Sequence, residues 1–378
     1  MKQKLMFLYL KTGGGHLSPA RSVAQWIERN HDKGYEVELV DGFTGVSPIA
    51  KLIVEDGYRK SQEKATWVFE GLYAIHKLKP IAHLSGWLVS KFVAPILEHR
   101  ILADKPDKIV IFHFFLIKPI NEILKRNKLD TPMLTVVTDP FTAHPIWFLD
   151  KTQNFIVFSQ QLKTHLINAK KIPAENINTF PFILNDKFSS SINEEAKAQI
   201  RTTLNIPADE KVILIMGGAD GIPKGAKILR KLLQSGLNAH IVMVCGRNEN
   251  LLKQANKLKG RYNANHLHVF GFVDIVYELL NIADLVITKC GASTFMEVLM
   301  CGKIPLINSY IWEQEKGNVE YICNNQLGHY EKRVNQIPNL VKNLIFNSNK
   351  QGFYKNNIYQ LKLVNGTSQV SKFIMQYS

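Results

Sequence analysis

Two short stretches carry residue types suited to an activated, anionic substrate. The first is Lys11-Thr12-Gly13-Gly14-Gly15-His16, directly after the apolar run Leu5-Met6-Phe7-Leu8-Tyr9-Leu10. Glycines let backbone amides approach a ligand with no Cβ in the way. An imidazole at a helix start is held neutral near pH 7 by the positive dipole end, and beside a bound hydroxyl it is a general base. His16 thus reads either as a base or as the cap of a tight strand-to-helix turn. The second stretch is Gly291-Ala292-Ser293-Thr294, with Glu297 one turn on and Gln314-Glu315 beyond. Small residues, hydroxyls and unsatisfied amides at a helix start suit a diphosphate. Glu297 can accept both hydroxyls of a ribose, or can close a Thr294-x-x-Glu297 capping box.

Further glycine turns, Gly217-Gly218-Ala219 and Gly271-Phe272-Val273, follow apolar runs and point at the same kind of sheet edge. The latter can clasp a base through its backbone. Asp139, in Thr138-Asp139-Pro140, lies at the carboxyl end of a strand, where α/β sheets put ligand groups. It can orient His16, bind a sugar hydroxyl, or start an Asp-Pro turn. His144 and Trp147 form an aromatic wall or pack internally. The glycine stretches match neither Gly-x-Gly-x-x-Gly nor a P-loop.

These turns need sheets to hold them. Apolar runs alternate with helical patterns along the whole chain, which predicts an α/β fold of mostly parallel, doubly wound sheets. Strands are expected near residues 4–10, 36–40, 108–114, 133–138 and 154–158, with helices from about 18, 118 and 160. After a looser stretch the pattern restarts. Strands are expected near 212–216, 239–245, 268–270, 284–288 and 304–307, with helices near 194–204, 224–235, 248–259, 274–281, 294–300 and 367–377. A length of 378 residues favours two domains. They are placed at 1–185 and 186–355, with a helical segment 356–378 that can pack back on the first.

Apolar residues make up 46% of the chain and no run is long enough to cross a bilayer. The apolar start leads straight into the glycine turn and lacks a cleavage site, so it reads as the first strand. Four scattered cysteines and no Cys-x-x-Cys argue against a disulfide framework or zinc ribbon, and for buried free thiols. The net charge of +15 points to nucleic acid or an anionic membrane as partner, or is a plain solubility effect of a lysine-rich chain. One segment offers a face for such a partner: between Glu70 and Glu98 no acidic residue occurs, while Lys77, Lys79 and Lys91 accompany Trp87 and Phe92. Apolar residues at 81, 84, 88, 92 and 96 have helical spacing. This suits an interfacial helix on anionic lipid, or an ordinary amphipathic helix with solvated lysines.

In order along the chain, Gly13-Gly14-Gly15-His16, Thr138-Asp139, His144-Pro145, Trp147, Met216-Gly217-Gly218, Val244-Cys245-Gly246-Arg247-Asn248, Gly271-Phe272-Val273, Ile287-Thr288-Lys289, Gly291, Thr294, Glu297 and Glu313-Gln314-Glu315 form a set. The set resembles the monogalactosyldiacylglycerol synthase and processive diacylglycerol glycosyltransferase family, relatives of the enzyme that adds N-acetylglucosamine to lipid I. The resemblance covers nearly the whole chain. It implies a GT-B fold, two Rossmann-like domains facing a cleft, and inverting transfer of a hexose from UDP-glucose or UDP-galactose to diacylglycerol or a glycosyl-diacylglycerol. His16 and Asp139 are then the catalytic pair. Donor contacts fall to Gly14, Gly15, Gly217, Gly218, Arg247, Phe272, Val273, Gly291, Ser293, Thr294, Glu297, Gln314 and Glu315. Acceptor and membrane contacts fall to Lys77, Lys79, Trp87, Lys91, Phe92, His144 and Trp147. No cofactor and no metal is expected, because the UDP-sugar is the substrate and helix dipoles and amides neutralise its diphosphate. An anionic membrane surface, at the cytoplasmic face and peripherally bound, is the expected partner, and nucleic acid is not. Rival readings are a lipid-I-type N-acetylglucosaminyltransferase, a UDP-sugar epimerase and a non-catalytic UDP-sugar-binding membrane protein. The chain departs from the family pattern at Phe180-Pro181-Phe182-Ile183-Leu184, where an arginine is expected, at Ala219, and at His113-Phe114.

Overall fold

A computed structural model describes residues 2–11, 14–45, 79–311 and 313–378, with the backbone alone at 14 and 79–89. The chain forms two compact units, residues 1–185 with 366–378, and residues 186–365. The first unit holds strands β1 (Gln3–Tyr9), β2 (Tyr35–Asp41), β3 (Lys108–Ile111), β4 (Met133–Val136), β5 (Asn154–Val157) and β6 (Ile177–Thr179). All pair in parallel in the order β2-β1-β3-β4-β5-β6. Its helices are α1 (Gly14–His31), α2 (Lys79–Asp104), α3 (Ile117–Arg126) and α4 (Gln160–Asn168), with α13 (Thr367–Gln376) returning from the far end of the chain. Central strands sheltered on both faces are apolar throughout, and residues 5–10 and 109–112 are accordingly buried.

The second unit repeats the plan with β7 (Val212–Ile215), β8 (His240–Val244), β9 (Leu267–Phe270), β10 (Leu285–Lys289), β11 (Ile304–Ser309) and β12 (His329–Tyr330), ordered β12-β11-β10-β7-β8-β9. Its helices are α5 (Glu194–Thr203), α6 (Gly225–Gln234), α7 (Glu249–Arg261), α8 (Val276–Ile282), α9 (Ala292–Met300), α10 (Lys316–Asn324), α11 (Ile337–Ile345) and α12 (Ser348–Gln360). In each sheet the strand order reverses once, between β1 and β3 and between β7 and β10. Ligands of open α/β sheets bind outside the carboxyl ends of strands at such switch points.

The helix expected from residue 18 begins at Gly14, so His16 sits in its first turn. In the basic segment, residues 71–78 and the side chains of Lys79 and Trp87 lie outside the described residues. From Ser90 onward α2 turns Val93, Leu97 and Ile101 into the core and leaves Phe92 55% exposed. The inward stripe is therefore offset by one residue from the 92/96 spacing. The cysteines are free; Cys245 and Cys290 are buried, whereas Cys323 is exposed, contrary to the expectation of buried thiols throughout. Among the described residues no helix is long and apolar enough to cross a membrane.

Candidate active site

In the first unit three strand ends converge on His16. Its Nδ1 lies 2.8 Å from the carbonyl of Phe112, just past β3, and 2.9 Å from Thr138 Oγ1, just past β4. A carbonyl can only accept, so Nδ1 carries the proton and shares it between these two oxygens. Among the described residues no hydrogen bond reaches Nε2, whose lone pair is the ring's acceptor. The imidazole is buried, and desolvation outweighs the Phe112 hydrogen bond, lowering its pKa to about 4. The first turn of α1 acts in the same direction. His16 is thus a neutral ring of fixed tautomer with one bare nitrogen.

A second buried imidazole, His113, meets it edge-on with centroids 4.4 Å apart. Its Nδ1 accepts from the amide of Phe115 and caps a short 3-10 turn, so its proton sits on Nε2. Burial first, then His16, hold its pKa well below the usual value. His144 repeats the device, with Nδ1 accepting from the amide of Ile146.

Asp139 Oδ2 accepts from Trp147 Nε1 at 3.0 Å. The contacts that orient the imidazole come from Phe112 and Thr138, while Asp139 anchors the indole. Trp147 is fully buried in the core cluster and His144 nearly so. The Trp147 ring lies 6.2 Å from His16, centroid to centroid, and His144 faces Phe114 at the same distance. Gly14 opens α1, and around Gly15 a Cβ would meet nothing within 4 Å. Beside the aromatic cluster a cavity of about 230 Å³ is lined by Phe114, Phe115, Ile117, Ile146 and Leu149, with Lys118 and Lys125 among its polar residues.

The second unit brings together the ends of β7 and β10. The chain folds so tightly on itself at Gly217 that a Cβ would stand 2.3 Å from the carbonyl oxygen of Gly221. Gly218 adopts φ +79°, open to glycine at no cost. A Cβ there would lie 3.6 Å from Thr294 Oγ1 and 4.0 Å from Lys289 Cε. Gly291 is the N-cap of α9, with Ala292, Ser293 and Thr294 forming the first turn and their amides pointing out of the helix. The Ser293 hydroxyl oxygen is buried with no hydrogen-bond partner among the described residues.

Because Thr294 lies inside α9 rather than at its cap, the capping-box reading of Thr294-x-x-Glu297 is overturned. Glu297 is half-buried, and desolvation lifts its pKa to about 7 against the pull of Lys187. Glu315 is buried. Its Oε2 accepts from the amide of Ile311 at 2.7 Å, and burial raises its pKa against the opposing charge of Lys289. A Cβ on Gly291 would stand 3.5 Å from Glu315 Oε1 and 3.6 Å from Lys289 Cε. Lys289 thus runs between two glycine turns into the cradle. Sequence reasoning did not assign it, although a lysine at a strand end next to a glycine cap is a visible signal. Gln314 is half-buried in the turn before α10. At the ends of β8 and β9, the Arg247 guanidinium stacks 4.8 Å above the exposed ring of Phe272, with Val273 half-buried beside it. Among the described residues no group of three or more side chains could hold a metal ion.

Comparison with known proteins agrees with this division. Residues 16–181 match the monogalactosyldiacylglycerol (MGDG) synthase family model, and residues 212–340 match the glycosyltransferase family 28 C-terminal domain. A processive diacylglycerol beta-glucosyltransferase of Bacillus cereus is 26% identical over 323 residues, 84% of this chain and 79% of that protein. Monogalactosyldiacylglycerol synthase 1 of Arabidopsis thaliana is 24% identical over 349 residues, 90% of this chain and 64% of that protein. A crystal structure of a glycosyltransferase from Rickettsia africae superposes with TM-score 0.60 over both whole chains at 16% identity, a likeness of fold. The fold is that of the GT-B glycosyltransferases. The chain thus joins a region that matches the monogalactosyldiacylglycerol synthase family to one that matches the glycosyltransferase family 28 C-terminal domain.

Proposed function

We infer that this protein is an inverting glycosyltransferase that moves a hexose from a UDP-sugar to diacylglycerol or a glycosyl-diacylglycerol. The observation that carries the reading is the fixed tautomer of His16. Phe112 and Thr138 occupy Nδ1, so Nε2 is the available base, at the switch point of the sheet. Nε2 takes the proton of the acceptor hydroxyl as that oxygen attacks the anomeric carbon. The bond from the anomeric carbon to the diphosphate oxygen breaks on the opposite face, so the configuration inverts and UDP departs. An imidazole with a pKa about 4 is a weak base. It works late in the step, when the forming C–O bond has made the hydroxyl acidic, and returns the proton to water afterwards.

The departing diphosphate carries growing negative charge. The first-turn amides of α9, the Gly217-Gly218 turn, the Ser293 hydroxyl and the Lys289 ammonium supply the complementary donors. Glu297 is assigned to the ribose, and Arg247, Phe272 and Val273 to the uracil side. The apolar cavity at Phe114, Phe115 and Leu149 is assigned to the acceptor's glycerol and upper acyl carbons. The working site is the cytoplasmic membrane surface, held peripherally, where charge of +15 favours anionic lipid.

The test is a panel of UDP-glucose, UDP-galactose and UDP-N-acetylglucosamine against vesicles containing diacylglycerol, read by UDP release and mass spectrometry. The expected product is a hexosyl-diacylglycerol with a β linkage from the α-linked donor. Free epimerised UDP-sugar, or UDP binding without lipid product, would replace this reading.

A further inference from the structure

None of the chain's 32 acidic residues lies beyond Glu331, whereas Lys332, Arg333, Lys342, Lys350, Lys355, Lys362 and Lys372 all do. Two of these are engaged: Arg333 forms a two-pronged ion pair with Glu331, and Lys372 sits over Trp26. Of the other five, Lys332 is exposed just before α11, and Lys342, Lys350, Lys355 and Lys362 are exposed on α11, α12 and the turn after them, all five with no carboxylate in ion-pair range among the described residues. The same short stretch exposes Phe346, Phe353, Tyr359 and Val364, half of the large hydrophobic side chains found exposed among the described residues.

The helix period explains how they sit together. In α12, Ile358 is buried and Gln351 and Tyr354 are partly so, which fixes the inward face. At 100° per residue, Phe353 and Tyr359 fall on the outward half, 48% and 78% exposed. Lys350 and Lys355 lie at the flanks of that half, and Asn349 and Asn356 fill its middle. Phe346 ends α11 and Val364 follows α12, so apolar side chains bracket the helix at both ends. The helix itself is only weakly amphipathic, but its two rings, the bracketing Phe346 and Val364 and the lysine margins supply the groups a bilayer interface takes up: rings for the acyl boundary, long cations for the headgroups.

We propose that the face formed by α12 and its flanks, in the second unit, is a docking surface for anionic lipid. It is separate in sequence from the acid-free segment of the first unit. Nucleic acid fits less well: the face has no free arginine for bidentate phosphate contact, and its exposed Val364 offers nothing for a base to stack on. The proposal extends the reading of a membrane-surface enzyme but does not depend on which lipid is glycosylated. Its test therefore uses vesicles with neither diacylglycerol nor UDP-sugar.

The full chain is sedimented with phosphatidylcholine vesicles containing or lacking phosphatidylglycerol, at two salt concentrations. Wild type should partition to the anionic vesicles, less so at high salt. The triple variant Lys350→Glu, Lys355→Glu, Lys362→Glu should lose about 100-fold or more of that partition, and the three Lys→Arg replacements should retain it. Hydrogen exchange should show vesicle-dependent protection in peptides spanning residues 342–364. UDP affinity, unchanged in the triple variant, certifies its fold. Equal sedimentation of wild type and triple variant, or no protection in those peptides, would overturn the proposal. So would lysine-dependent retention on duplex DNA without vesicle binding.

Discussion

At the residue scale, the chemistry turns on which nitrogen of His16 is free. The Phe112 carbonyl and Thr138 settle it, and neither is deducible from the glycine turn that announced the histidine. His16→Ala should lower turnover about 100-fold or more while leaving UDP affinity intact, since UDP is assigned to the other unit; near-wild-type turnover in steady-state assays would remove His16 from the mechanism. Glu297 makes a different forecast. Its carboxyl titrates near 4.5 in the unfolded chain and near 7 in the folded one. The folded state holds the extra proton across that window, so stability is full below 4.5 and is lost as the pH rises through 7. Glu297→Gln should therefore raise the melting temperature at pH 8, by about 1–3 kcal/mol of stability, and leave it unchanged near pH 4.5. The same variant should weaken UDP binding, so calorimetric titration beside melting curves at both pH values separates recognition from stability. Sequence alone exposed His16, Gly291 and Glu297, because glycine turns before helices are written locally. It named His113 and Lys289 without giving them a role, since their roles come from strands that meet only in the sheet.

Elements carry the site through parallel strands whose apolar runs are unmistakable, and the five strands expected in each sheet fell where periodicity put them. The edge strands β6 and β12 escaped, being three and two residues long. Helices α10, α11 and α12 escaped as well. The last has apolar residues on two sides, so it shows little periodicity. One contact outside the site ties α13 to the first sheet. Lys108, buried at the start of β3, donates to the carbonyls of Ile374 and Met375 in the last turn of α13. These are the orphan acceptors of a helix C-terminus, and the cation also opposes the negative dipole end. Burial pushes the Lys108 pKa down, the cost of holding the ammonium there. Lys108→Met should strand the Ile374 carbonyl, leave that of Met375 with only the Tyr35 hydroxyl at 3.5 Å, and destabilise the first unit by about 1–3 kcal/mol. Urea unfolding followed by intrinsic fluorescence would register it; an unchanged midpoint would mean water replaces the ammonium without loss.

The whole molecule is basic, and the first unit holds its own share of that charge. Replacing Lys77, Lys79 and Lys91 together by Glu should cut binding to anionic vesicles, each lysine contributing about 1 kcal/mol near the surface, with UDP affinity preserved. Sedimentation identical to wild type would reduce the segment to a core helix, the role that Val93, Leu97 and Ile101 already give its described end. A last consequence lies in the path of the chain. The first unit starts at the N-terminus yet takes residues 366–378 into its fold, whereas residues 186–365 form the second unit without interruption. The return is anchored where the family's arginine is absent: the amide of Gly366 donates to Phe182, and Thr367 Oγ1 to Leu184, both at backbone carbonyls. Residues 186–365 hold all of the second unit, while the first is complete only with residues 366–378 in place. A chain truncated at residue 365 should still bind UDP but lose transfer, and its first unit should be cut by protease well before its second.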